Sequence, residues 1–149
     1  MTQQQISKLL DVPDRTLRDW KKNRSRLYNL LESLDYAEAK EKINAVDLDD
    51  MVVFEPNKYS YNLFWQTNEN SEQKVYSIIS NYLSTMNQND IKTLCNQFGK
   101  NMVKSVLKDK YRKMYAKGFI STNGIDIPLS GKFEQNDMYK QLLGIINDN

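Results

Sequence analysis

The sequence predicts a mainly α-helical chain in two parts. A pair of short helices meets at a tight corner near the N-terminus, and a helical domain carrying a small β-hairpin follows. Three observations point there. Apolar residues recur at three- and four-residue spacing over most of the chain. Pro13 and Gly118 stand where helical patterns break. In FISTNGIDIPL, Asn123-Gly124 separates two short β-favouring runs, which is a hairpin signal.

Taken in order, Thr2 is placed to cap the first helix, with Gln5 completing a capping-box pattern. That helix runs to about Leu10 and buries Ile6, Leu9 and Leu10. Asp11-Val12-Pro13 interrupts it, because Pro13 disfavours helical geometry at Val12. A second helix begins near Pro13, whose missing N–H costs nothing in a first turn. Leu17 and Trp20 share its inward face. A third helix spans roughly residues 25–34 with Leu27, Leu30, Leu31 and Leu34 as its inward stripe, and residues 37–43 add a short fourth.

Residues 1–45 thus form one domain, and residues 46–70 read as an acidic, aromatic connecting segment. Within that segment Met51–Phe54 favours a short strand, and the acidic run 47–50 reads as a solvated surface. Leu63-Phe64-Trp65 is too apolar for an idle linker and reads as a loop docking its aromatics on a core or on a partner. Residues 71–149 form a helical oligomerisation or partner-binding domain. Its first helix runs from Ser71 to about Met86 and carries Val75, Ile78, Ile79, Tyr82 and Leu83. The next is capped by Asn87 or Asn89, turns Ile91, Leu94, Cys95 and Phe98 inward, and continues through a kink at Gly99 to Gly118. A final helix covers about 136–146.

Composition narrows the function. With 40% apolar and 27% charged residues over 149 positions, the chain is globular and has material for one good core or two small ones. No stretch is apolar for long enough to cross a membrane, and the polar N-terminus lacks the order of an export signal. Cys95 is a lone cysteine, which fits a reducing, cytoplasmic compartment. The sequence has no histidine, so a Cys/His zinc module is excluded, and no metal or other cofactor is expected. Glycine-rich phosphate loops and GxSxG elbows are absent. Asp47, Asp49 and Asp50 are the only acidic constellation, and they lack the further acidic or lysine partners that a metal-dependent nuclease needs. The expectation is a non-enzyme.

Charge is unevenly distributed. Residues 1–44 carry nine Lys/Arg against seven Asp/Glu, residues 45–73 one against six, and residues 74–118 nine against two. Basic flanks around an acidic middle suit nucleic-acid binding, and equally suit ordinary surface charge.

The opening TQQQISKLLDVPDRTLRDWKK resembles the amino-terminal helix-turn-helix of bacterial and phage transcriptional regulators, transposases and small terminase subunits. Thr2, Ile6, Leu9, Leu10, Val12, Thr16, Leu17 and Trp20 occupy the positions of that pattern. Asp11 replaces the usual glycine, Ser7 the usual alanine and Pro13 the usual Ser/Thr cap. The resemblance is confined to about residues 2–35. It implies a first helix bracing a second that lies in the major groove of duplex DNA. Asp14, Arg15, Thr16, Arg18, Asp19 and Lys22 would then form the outer and leading surface. Arg15 and Arg18 would read bases, since a guanidinium matches guanine bidentately, and Lys21, Lys22, Arg24 and Arg26 would sit on phosphates. Asp14 and Asp19 would accept from cytosine or hold a neighbouring arginine in register. Alternatively, the same charges are the wet side of a helix pair.

Further along, Lys100, Lys104, Lys108 and Arg112 recur every four residues. The row is a second basic surface for phosphates, the solvated side of an amphipathic helix, or a latch onto the acidic segment 47–55. A single helix-turn-helix reads a short site weakly, so a homodimer or other homo-oligomer is expected, with Tyr76, Tyr82, Phe98 and Tyr111 as candidate interface aromatics. The function expected is sequence-specific binding of double-stranded DNA by a transcriptional regulator. The alternatives are a DNA-packaging, partition or recombination accessory, and a protein-interaction module such as an antitoxin or inhibitor engaging a partner through residues 46–149.

Overall fold

The computed structural model describes residues 1–43, 45–65 and 71–148. The protein is mainly α-helical with two small antiparallel strand pairs, and it divides into two compact units, Met1–Asp50 and Met51–Asn149. Among the described residues, no helix is long and apolar enough to cross a membrane.

In the first unit, α1 (Gln3–Leu10) starts on the capping box read from the sequence. Thr2 Oγ1 accepts from the Gln5 amide at 3.2 Å, and Gln5 Oε1 accepts from the Thr2 amide at 2.8 Å. The helix stops where Asp11 takes left-handed geometry, φ 50 and ψ 44, a conformation that Asp tolerates better than most residues. Ser7 ties the corner: its amide carbonyl accepts from Val12 N, and its hydroxyl donates to the Val12 carbonyl at 2.7 Å. After Pro13 comes α2 (Asp14–Asn23), then α3 (Ser25–Ser33) and α4 (Tyr36–Lys42), the last capped by the Asp35 carboxylate.

Ile6, Leu17 and Tyr28 are the fully enclosed centre of this unit, with Leu10, Val12, Trp20 and Leu31 partly buried around them. The inward stripe of α3 is therefore not the expected one. Only Leu31 of the four leucines packs on the core, while Leu27, Leu30 and Leu34 remain 37%, 57% and 41% exposed. The reason is angular. Tyr28 and Leu31 share one side of a helix with about 3.6 residues per turn, and the other leucines lie further round it. A core this small is filled by one phenol ring, so the helix turns to bury the ring.

The acidic run is also not merely solvated. Lys40 Nζ lies 3.0 Å from Asp47 Oδ2 and 2.8 Å from Asp50 Oδ2, and Tyr36 donates its hydroxyl to Asp47 at 3.0 Å. These contacts fold residues 45–50 back onto α4, so within the segment 47–55 offered as a latch, Asp47 and Asp50 are engaged by Lys40.

In the second unit, β1 (Met51–Val53) pairs antiparallel with β2 (Glu72–Lys74), Met51 opposite Lys74. Then follow α5 (Val75–Ser84), α6 (Gln88–Phe98), α7 (Lys100–Lys117), the hairpin β3 (Phe119–Thr122) and β4 (Ile125–Pro128), and α8 (Asp137–Asn147). The first of these helices begins at Val75, not Ser71, because residues 72–74 are extended. Gly99, at φ 89 and ψ 145, ends one helix and starts another, so the expected kink is a full break. Asn87 is the cap of α6, and Gly118, at φ 80, ends α7. Asn123 and Gly124 both have positive φ, as a tight two-residue hairpin turn requires.

The segment read as a connection belongs instead partly to this unit. Phe54 and Tyr59 are buried, with the Tyr59 ring stacked 4.0 Å from that of Tyr82 and Phe54 5.7 Å from Tyr59. Tyr82 donates its hydroxyl to the Tyr61 carbonyl at 2.6 Å, and Asp90 Oδ1 accepts from the Ser60 amide at 2.8 Å. Residues 66–70, the rest of that segment, lie outside the described residues. Burial takes three of the four aromatics expected at an interface. Tyr82, Phe98 and Tyr111 are core residues, and Tyr76 donates to Asp109 at 2.8 Å.

Candidate nucleic-acid interface

The first unit turns one face of α2 outward. Leu17 is fully buried beneath the helix, and Asp14, Arg15, Arg18, Asp19 and Lys22 are exposed on it, with Thr16 half-buried. At about 100° per residue, Arg15, Arg18 and Lys22 share the side opposite Leu17. Lys22 therefore stands with the arginines and apart from Lys21. Among the described residues, none of Arg15, Arg18, Lys22, Arg24 and Arg26 lies in an ion pair. With no carboxylate partner among the described residues, their charge is available to a polyanion.

The two aspartates of this helix do not hold an arginine. Asp19 accepts from Asn23 Nδ2 at 2.7 Å, one turn along, and Asp14 sits in the first turn, where a carboxylate is favoured by the helix dipole. Lys21 lies over the Tyr28 ring, its Nζ 5.5 Å from the centroid, so it also covers the core. Arg24 occupies the junction of α2 and α3, and Arg26 the first turn of α3, both exposed.

The second basic row is less uniform. On α7, Lys108 and Arg112 are exposed, whereas Lys100 and Lys104 are half-buried, and Lys100 Nζ donates to the Asn147 carbonyl at 3.3 Å. A four-residue step drifts about 40° around a helix, so the row winds about a third of the way round over its length. Lys113 is paired with Asp109 at 2.8 Å and lies over the Tyr76 ring.

Two features have no counterpart in the sequence reading. The Tyr36–Lys40–Asp47–Asp50 cluster joins residues that no short motif links. Hydrogen bonds donated to Asp50 first, then to Asp47, hold the Lys40 ammonium well above the ordinary lysine range. The Asp50 carboxyl is held below its own range, chiefly by the Asp47 amide and then by Lys40. The other feature is Lys110, which stands off that row and lines a mostly apolar cleft of the second unit. The chain matches no family model, no curated protein and no solved structure.

Proposed function

We propose that the first unit is a helix-turn-helix that binds duplex DNA in a sequence-dependent way, and that the protein is a regulator of transcription. The observation that carries this reading is the outward face of α2: Arg15, Arg18 and Lys22 aligned, exposed and without a carboxylate partner among the described residues. The left-handed corner at Asp11 and the buried Ile6–Leu17 contact brace that helix from behind. In the groove, Arg15 and Arg18 are the base readers and Lys22, Arg24 and Arg26 the phosphate contacts.

A second copy completes the reading, because two half-sites multiply the affinity of one short contact. The exposed Leu27 and Leu30 of α3, with Leu34 at its end, supply an apolar surface for it, close in sequence to the groove helix.

Titration of short mixed-sequence duplexes at two salt concentrations tests the assignment, wild type beside Arg15→Ala/Arg18→Ala. Expected are salt-sensitive binding by the wild type and a loss of at least about tenfold in the double variant. Binding unchanged by the double substitution would overturn it.

A further inference from the structure

In the second unit a cleft of about 240 Å³ opens between the C-terminal end of α5, the middle of α7, strand β3 and α8. Its walls are mostly apolar, with Leu83, Met86, Tyr111, Met114, Ile120 and Leu142 among them. Met86 closes one rim in left-handed geometry at φ 55. A second cleft of about 320 Å³ adjoins it and shares Lys110, Met114 and Ile120 with the first. Lys113 and Lys117 line its far side, and no aspartate or glutamate lines either cleft.

Lys110 is the unexpected group here. Its ammonium donates to the Ser80 carbonyl at 2.9 Å and to the Ser84 hydroxyl, both near the C-terminal end of α5, and it has no carboxylate partner among the described residues. Burial pushes its pKa below the ordinary lysine value. A cation held in an apolar wall without a counter-ion is costly. Two neutral acceptors reduce that cost and leave a donor direction of the three-proton ammonium unused. An anion entering the cleft would supply the missing charge.

We infer that this cleft binds a small amphiphilic carboxylate, its apolar tail against Leu83, Met86, Tyr111 and Met114 and its head group on the Lys110 ammonium. The lining fits that chemistry. Methionine walls re-pack around flexible chains, and the cleft size, below the roughly 300–1,000 Å³ usual for drug-sized ligands, suits a short acyl chain better than a ring system. Lys117 adds a cationic approach on the neighbouring side, where Lys113 is paired with Asp109. The inference is independent of DNA binding by the first unit.

The test is calorimetric titration of the full chain with octanoate, beside octanol and octylamine as neutral and cationic controls of the same tail. Saturable octanoate binding at least about tenfold tighter than octanol, with octylamine weaker than both, is the expected order. Lys110→Met should reduce octanoate affinity to that of octanol and leave octanol unchanged. Ile120→Asp, on the exposed rim strand, should weaken both ligands. No saturable octanoate binding by the wild type would overturn the site. Equal affinity for octanoate and octanol would overturn the role of Lys110, with no variant needed.

Discussion

The two units reach stability by different means. The first buries Ile6, Leu17 and Tyr28 beneath short helices joined at tight corners. The second encloses Val75, Ile78, Ile79, Tyr82, Ile91, Leu94, Val106 and Leu107 on three successive helices. A compact unit of about 50 residues has on the order of 2.5–7 kcal/mol of folding free energy, and one twice as long about twice that. In the smaller unit each buried side chain therefore carries a larger share, and the capping box, the left-handed corner and the Lys40 ion pairs substitute for core volume. Exposed leucines on α3 show the same limit: the core has no room for them.

Breaking that comparison takes one substitution in each unit. Leu17→Ala and Leu94→Ala both remove a fully buried leucine, at a cost of about 2–5 kcal/mol each. For the first unit that consumes most of its stability, and for the second it does not. Amide hydrogen exchange should show residues 1–43 losing protection broadly in Leu17→Ala while α5–α7 keep theirs. In Leu94→Ala, α6 should retain slow exchange. Equal loss across both units in either variant would mean that they do not unfold separately.

The regular elements were legible because each rests on a local signal. Thr2 with Gln5, Asn87, Gly118 and Asn123-Gly124 all act within a few residues, and each does what its chemistry requires. What the sequence hid was long-range choice. Nothing local says that Tyr28 outcompetes the Leu27/Leu30/Leu34 stripe for the core, since both are apolar at helical spacing. Tyr59 finds Tyr82 across 23 positions of sequence, so residues 46–70 read as a connecting segment whose docking place no local signal names. The same holds for charge. Arg15, Arg18 and Lys22 share a face by simple periodicity, whereas Lys40 meets Asp47 and Asp50 only once the chain reverses after α4.

Left-handed positions sharpen the contrast at a smaller scale. The first unit ends α1 on Asp11, a residue that sustains this geometry with a side chain, and the second ends α7 on Gly118. A Cβ at Gly118 would meet nothing within 4 Å, so Gly118→Ala isolates the backbone cost, about 1 kcal/mol. A thermal shift of a few degrees downward in the second unit is expected. An unchanged midpoint would show that the end of α7 relaxes freely and contributes nothing to cooperative unfolding.

The smallest effect belongs to the Lys40 cluster, and its sign with pH is what identifies it. The Lys40, Asp47 and Asp50 side chains are 25%, 37% and 38% exposed, so solvent screens their pairing and Lys40→Met should cost no more than about 1 kcal/mol near neutral pH. Asp50 is held below its unfolded value of about 3.9. Its contribution is therefore present above that value and lost as pH falls through the lower folded one. Lys40 is raised, so its contribution is present below about 10.4 and lost as pH rises through the folded value. Removing Lys40 abolishes part of both. Urea unfolding followed on amide signals of residues 1–43 should show the gap between wild type and Lys40→Met closing as acid protonates Asp50 and closing again in strongly alkaline solution, and widest between. A gap independent of pH would mean that Lys40 acts through its aliphatic stem on α4 and that the smaller unit does not depend on these charges for its closure.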